Sequence, residues 1–178
     1  ISDESAKRFR FKFPAETIIP AGQHLLLFSE NAPPNGFQLG FGLAQEGDSV
    51  RLYNSSAALV DAVEFGAQLA DLTIGRAANG EWALCSPTLG SPNKTHPVAE
   101  PSALKINEWL ANGRTLYPED FIEIYNPNAA PVSLGGLHLT DEPLGWPGRH
   151  RIVPLTFMGA GQHFVFIADG RIDEGSDH

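Results

Sequence analysis

Hydrophobic and polar residues alternate one by one in several short stretches of the chain. Phe9, Phe11 and Phe13 alternate with basic residues, and a period of two is typical of a β-strand with one buried face. The same alternation runs through residues 48–54 and 120–126, each of which ends in Tyr-Asn. The pattern predicts a strand at all three places.

Short apolar runs between turn residues supply the other predicted strands. They lie at 23–28, 58–65, 72–76, 82–85, 104–109, 134–140, 149–153 and 162–167. No window has the apolar i, i+3, i+4, i+7 stripe of an amphipathic helix, and the 18 Gly and 14 Pro residues place turns at short intervals. The chain is therefore predicted to be all-β, as a sandwich or a barrel.

One segment of the sequence occurs twice. Ala21-Gly22-Gln23-His24 and the apolar run that follows it return at 160–167, an offset of 139 residues (160 minus 21). Residues 1–4 match residues 139–142 in the same order, at an offset of 138 (139 minus 1). The shared order, spacing and apolar pattern indicate two copies of one repeat unit.

The two copies are out of phase with the chain. Residues 1–93 hold the middle and closing segments of the unit, and residues 102–178 hold its opening and middle segments. Residues 94–101 contain two prolines and no periodicity, so they are predicted to be an extended linker. Because the chain has no signal peptide and does not begin with Met, we interpret it as a segment of a longer protein.

An incomplete sandwich leaves open sheet edges and an uncovered apolar face. We therefore predict that the two parts complete each other, either within one chain as a circularly permuted sandwich or between two chains as a strand-swapped dimer. Eight extended residues reach about 26–29 Å, so the linker is long enough for closure within the chain. In that case strands 48–53 and 120–125 share one sandwich, and the surplus copy of the middle strands extends a sheet edge or pairs between molecules.

Charge and composition exclude several partners. The chain has 21 Asp and Glu against 12 Lys and Arg, a net charge of −9, and phosphate binding depends on cations, so nucleic acid is not expected as a partner. No stretch approaches the roughly 20 apolar residues of a membrane-spanning helix, so no membrane insertion is expected. The single cysteine, Cys85, excludes an intrachain disulfide and is interpreted as a small core residue.

Catalytic groups are sparse. The sequence has no Gly-x-Ser-x-Gly elbow, phosphate-binding loop or dinucleotide fingerprint. The acidic pairs Asp3-Glu4 and Asp141-Glu142 are adjacent in the chain, so their side chains point to opposite faces of a strand and cannot form a facing acid pair. We predict no catalytic residue, no cofactor and no enzymatic activity.

Histidines and acidic residues give weak metal patterns. His24 and His163 share one position of the repeat, and we interpret them as residues at the start of a strand. His138 and His150 are predicted to face each other across neighbouring strands, and with Asp141 and Glu142 nearby they are the best metal constellation. The histidines lack ligand spacing, so no metal site is predicted. Residues 169–177 are acidic and glycine-rich, but they do not fit the EF-hand spacing and are interpreted as a solvated loop.

Several motifs together resemble a known family. Leu104–Glu108, Asp120–Pro127 and Val132–Asp141 are similar to the opening strands of the lamin tail domain. Gly47–Tyr53 and the closing Pro87–Asn93 are similar to that domain's second half. The resemblance covers nearly the whole chain apart from the linker.

The resemblance implies an immunoglobulin-like β-sandwich in a large secreted or envelope-anchored bacterial protein. The expected function is a non-catalytic extracellular structural or protein-interaction module, whose partners are other protein domains. The alternative is a carbohydrate- or surface-binding module that accompanies a secreted hydrolase and binds a cell-surface glycan. Candidate ligand contacts are Trp146, in a Gly- and Pro-rich loop, with His138 and His150.

Two local predictions concern aromatic residues. Alternation places Trp109 on the same face as Asn107, and we predict that Trp109 is buried, because removing a large side chain from water contributes about 1.5–3 kcal/mol. Alternation also places the three phenylalanines of residues 9–13 opposite the basic side chains, so rings and cations are predicted not to share a surface.

Overall fold

The structure, a computed structural model, describes residues 1–34 and 36–168. These residues form fourteen short strands and one 3₁₀ turn at Pro101–Ala103, and no α-helix occurs among them. The predicted all-β class is confirmed. The acidic loop predicted at 169–177 lies outside the described residues.

Seven strands precede the 3₁₀ turn. They are β1 (Leu27–Phe28), β2 (Phe37–Gln38), β3 (Asp48–Tyr53), β4 (Leu59–Phe65), β5 (Thr73–Arg76), β6 (Trp82–Ser86) and β7 (Lys94–Thr95). β3 and β4 form an antiparallel hairpin, and β5, β6 and β7 form an antiparallel three-stranded sheet. β1 and β2 pair in parallel over two residues only.

Seven further strands follow the turn. They are β8 (Lys105–Leu110), β9 (Phe121–Tyr125), β10 (Val132–Ser133), β11 (His138–Leu139), β12 (His150–Arg151), β13 (Phe157–Met158) and β14 (His163–Ile167). β9 lies between β14 and β8 in an antiparallel sheet. β10 pairs with β13 and β11 pairs with β12, both antiparallel.

The predicted strand at residues 9–13 is absent. Its first residues form a turn and bends, and the guanidinium of Arg10 bonds to the carboxylates of Asp3 and Glu4. The same guanidinium lies 4.6 Å from the ring centroid of Phe41. Rings and cations therefore do share a surface, because the ion pairs fold this stretch back onto the N-terminal residues.

A hydrophobic core lies in the second part of the chain. It joins the β14–β9–β8 sheet to the two small ladders, and its buried members are Ile124, Val132, Leu134, Ile152, Met158 and Phe166. Ala99, from the predicted linker, packs against it. No described residue of 1–93 belongs to this cluster.

The two parts of the chain do not exchange strands in the part of the chain that the structure describes. β3 pairs with β4, whereas β9 pairs with β8 and β14, so no ladder joins the two parts. The strand position on β9 is filled by β14, the second copy of the repeated run. No described ladder pairs a strand of one part with a strand of the other, while the immunoglobulin-like sandwich, its closure within the chain and the swapped dimer all stay predictions.

Residues 66–68 and 154–157 form a joint between the two parts. Three hydrogen bonds cross it: Gly66 N to Pro154 O at 3.2 Å, Phe157 N to Ala67 O at 2.9 Å, and Gln68 Nε2 to Leu155 O at 2.8 Å. The joint brings the end of β4 against the start of β13 through two backbone hydrogen bonds and one from the Gln68 side chain.

The predicted linker is extended, and backbone hydrogen bonds fix both of its ends. β7 pairs with β6, and the amide of His96 donates to the carbonyl of Leu84 at 2.8 Å. Farther along, the amide of Ala99 donates to the carbonyl of Pro131 at 2.7 Å. The beginning of the linker therefore belongs to the first part, and its end belongs to the second.

Candidate functional site

β8 is an edge strand with an apolar face. A bulge at Asn107 shifts its register with β9, so that Ile106 lies opposite Ile124 and Trp109 lies opposite Ile122. Residues directly opposite each other share a face of the sheet. The extra residue therefore turns both Ile106 and Trp109 toward the core side.

These two side chains are nevertheless exposed. Ile106 is 66% exposed and Trp109 is 69% exposed, whereas Ile124 on the neighbouring strand is only 7% exposed. The prediction that Trp109 is buried is wrong. The bulge moves it off the face of Asn107, and at the edge of the sheet the core does not extend far enough to cover it.

An apolar groove of about 400 Å³ lies beside this edge, a size within the range of about 300–1,000 Å³ typical of ligand sites. Its apolar lining comes from Leu104, Ile106, Ile124, Leu137, Leu139 and Ile152. Polar residues at the rim include Glu100, Ser102, Lys105 and His138. The groove, the exposed side chains of Ile106 and Trp109, and the open edge of β8 are together called the β8 surface below.

The β8 surface offers backbone hydrogen bonds and apolar contact. β8 pairs with β9 on one side, and its other side has no ladder partner among residues 1–34 and 36–168. Its outer N–H and C=O groups can pair with an added strand, while alternate side chains of that strand enter the groove. This arrangement suits binding an extended polypeptide.

A second exposed group is the loop that carries Trp146. The hydroxyl of Thr140 donates to the carbonyl of Trp146 at 2.9 Å, and the amide of Trp146 donates to the carbonyl of Glu142 at 2.8 Å. Trp146 is 57% exposed, and the guanidinium of Arg149 lies 5.8 Å from the centroid of its ring. The neighbouring Leu144 is fully exposed.

The loop also contains an ion pair. Arg149 Nη1 lies 2.5 Å from Asp141 Oδ1, and this hydrogen bond lowers the pKa of the Asp141 carboxyl from its ordinary value. Asp141 therefore stays ionised and holds the guanidinium beside the Trp146 ring.

The prediction that His138 and His150 face each other is wrong. His138 is paired with Arg151 and His150 with Leu139, so the two imidazoles lie on opposite faces of the β11–β12 ladder. The exposed His138 lies against Gly148, close to the Trp146 loop. Of the two histidines, His138 is therefore the one on the side of the Trp146 loop.

His150 points toward the core. Its ring centroid lies 6.1 Å from that of Phe166, and burial lowers the pKa of the imidazole. Its Nε2 is buried without a hydrogen-bond partner in the described part of the chain. The neutral ring is therefore favoured.

His24, His163 and Cys85, the other candidates from the sequence, do not lie together in one site. His163 and His24 are both exposed. His163 begins β14, as predicted, and stacks on Tyr125 at a centroid distance of 4.7 Å, whereas His24 lies outside any strand. Cys85 is fully buried, as predicted. Among residues 1–34 and 36–168, no group of three or more His, Cys, Asp or Glu side chains is placed to hold a metal ion.

Comparison with known proteins finds no relative. No family model matches the chain, and no curated protein or solved structure is significantly similar to it. The lamin-tail resemblance stays a prediction from the motifs. In the described ranges, no helix has the length and apolar character needed to cross a membrane.

Proposed function

We propose that the chain is a non-catalytic structural or protein-interaction module of a larger bacterial protein. The observation that carries this proposal is the β8 surface, where two large apolar side chains, Ile106 and Trp109, are more than half exposed beside an apolar groove. Exposed apolar surface next to an open sheet edge favours the addition of a partner strand. The partner would be an extended segment of another protein domain.

The remaining features of the proposal follow from the motifs. The resemblance to the lamin tail domain supports an immunoglobulin-like sandwich and a location outside the cell or in the cell envelope. The net charge of −9 supports protein rather than nucleic acid as the partner. A rigid β scaffold that presents an edge would space or dock neighbouring domains.

Binding of an extended peptide to the β8 surface can be tested by selecting peptides from a random library against the immobilised chain. We expect extended sequences with alternating apolar residues, and we expect Ile106→Asp to weaken their binding about tenfold or more, because the carboxylate would be desolvated in the groove. Isothermal titration of the selected peptides measures this loss. The control is Leu116→Asp, which changes an 87% exposed leucine outside the groove and should leave affinity unchanged. Selected peptides that bind Ile106→Asp as well as the wild type would refute the proposal.

A carbohydrate- or surface-binding module is the second candidate. The Trp146 loop supports it, because two hydrogen bonds hold the loop while Trp146 stays 57% exposed. A fixed aromatic ring with polar neighbours offers an apolar platform flanked by hydrogen-bonding groups. Arg149 and His138 are the polar neighbours.

A glycan array tests this second candidate. We expect at least one bound glycan to lose about tenfold or more in affinity on Trp146→Ala, since the stacking surface disappears. Leu144→Ala, at a fully exposed position of the same loop, is the matched control and should bind normally. An array without any bound glycan, or binding that survives Trp146→Ala, would exclude it.

A further inference from the structure

The two copies of the repeat share an unusual backbone. Glu16 and Leu155, which are 139 positions apart, both have left-handed backbone conformations, with φ of 65° and 57°. The next residues, Thr17 and Thr156, each donate a hydroxyl hydrogen bond to the carbonyl three residues earlier, at 2.8 Å and 2.7 Å. Left-handed non-glycine residues are uncommon, so their coincidence at the repeat offset shows that both copies fold alike locally.

The turn before the apolar run is also repeated. Gly22 and Gly161 have φ of 73° and 65°. The amides of Gln23 and Gln162 each donate to the carbonyl three residues earlier, at 3.0 Å and 3.3 Å. Both copies therefore enter the apolar run through the same turn.

The apolar residues of the two copies differ sharply in burial. In the second copy Phe157 and Met158 form β13, pair with β10, and are 5% and 1% exposed. Their counterparts in the first copy are Ile18 and Ile19, which form no strand and are 79% and 53% exposed. Ile18 and Ile19 therefore occupy core positions of the repeat unit but are mostly exposed in the first copy.

The strand after the turn differs mainly in its pairing, since Leu27 of the first copy is half-buried. In the second copy all five residues of β14 pair with β9, and Phe166 is 2% exposed. The counterpart of Phe166 is Leu27, in β1, which pairs over two residues with β2. The first copy has the same local turns, but among residues 1–34 and 36–168 no strand pairs with Ile18 or Ile19, and Leu27 pairs only with β2.

We infer that Pro14–Phe28 is a docking segment for the opening strands of this same repeat unit, supplied by another polypeptide. The occupant is an extended segment with the chemistry of residues 121–133, in which two short strands present alternating apolar residues. One strand would lie on residues 24–28, as β9 lies on β14. The other would lie on Ile18 and Ile19, as β10 lies on β13. This inference rests on the proposed function as a protein-interaction module, but it places a second binding surface away from the β8 surface.

A labelled peptide of residues 117–135, titrated with the whole chain and followed by fluorescence anisotropy, tests the inference. We expect saturable binding that Ile18→Asp and Leu27→Asp each weaken about tenfold or more, because each carboxylate would be buried against the peptide. Ile18 is exposed, so its variant keeps the fold, which circular dichroism checks.

The matched control is Leu26→Asp, because the counterpart of Leu26, Val165, is 41% exposed on the outer face of β14. The Leu26→Asp chain should bind the wild-type peptide normally. A peptide that carries Ile124→Asp and Val132→Asp should not bind the wild-type chain.

The outcomes separate this inference from the β8 proposal. Absence of binding by the wild-type peptide, or equal losses for Leu27→Asp and Leu26→Asp, overturns the docking segment and leaves the β8 result standing. Ile106→Asp should not change the affinity for this peptide. If instead the chain forms a concentration-dependent dimer that Ile18→Asp abolishes while the peptide does not bind, the occupant is a second copy of the chain and the inferred partner is wrong.

Discussion

Replacing Gly66 with alanine is expected to destabilise the protein by about 1–3 kcal/mol, the usual cost of overpacking. Gly66 is buried at the joint between the two parts. An added Cβ would lie 3.1 Å from the Cβ of Thr156, 3.5 Å from that of Val153, and well inside contact distance of the Thr156 hydroxyl oxygen. Thr156 is fully buried, and its hydroxyl is held by the carbonyl of Val153 at 2.7 Å. The residue therefore has little room to move aside.

Urea unfolding measures this loss, and amide hydrogen exchange locates it. The amides of Gly66 and Phe157, which donate across the joint, should exchange faster in Gly66→Ala than in the wild type. Gly42→Ala is the control, because an added Cβ there meets nothing within 4 Å, and its effect should stay within about 0.5 kcal/mol. Equal effects of the two substitutions, or unchanged exchange across the joint, would show that the joint does not couple the two parts.

The repeat shows how far local sequence determines a strand. Strand patterns at 48–54 and 120–126 correctly predict β3 and β9, because each alternating run finds a neighbour along the chain. The run at 162–167 becomes β14, whereas the closely similar run at 23–28 pairs only at its last two residues. The backbone turn before both runs is the same, so the sequence predicts the turn. Whether a strand follows depends on a tertiary partner, which a single sequence does not reveal.

The candidate site was harder to predict than the fold class. The sequence correctly predicts a loop at Trp146, because its Gly and Pro neighbours indicate a turn. The faces of Trp109, His138 and His150 depend on ladder register, and a one-residue bulge or shift reverses them. The β8 surface depends on which strand occupies the edge of its sheet, information that is absent from the pattern of any one segment.

Buried polar groups are the other feature that the pattern did not reveal. Asn54 and Asn126 both end a predicted strand in a Tyr-Asn pair, and asparagine favours a turn at such a position. The structure separates them: Asn54 is exposed, whereas Asn126 is fully buried. The two residues therefore form a natural comparison of one amide in two environments.

Asn126→Ala is expected to cost about 3 kcal/mol or more, because it leaves buried hydrogen-bonding groups without partners. The side-chain amide of Asn126 donates to the carbonyls of Ala130 at 3.0 Å and Gly159 at 2.9 Å. Its oxygen accepts from the backbone amide of Asn128 at 3.0 Å. One side chain thus ties the end of β9 to the turn that precedes β14, within the sheet that carries the β8 surface.

Asn54→Ala is the matched control for this substitution. The oxygen of Asn54 also accepts backbone hydrogen bonds, from Ser56 at 3.0 Å and Ala58 at 2.9 Å, but water can replace it at an exposed turn. We therefore expect a loss of about 1 kcal/mol or less. Urea denaturation of both variants gives the comparison, and Asn126→Asp, which keeps the accepting oxygen and removes the donor, should fall nearer to Asn126→Ala than to the wild type. If Asn54→Ala and Asn126→Ala cost the same, the buried network around Asn126 does not hold the β14–β9–β8 sheet together.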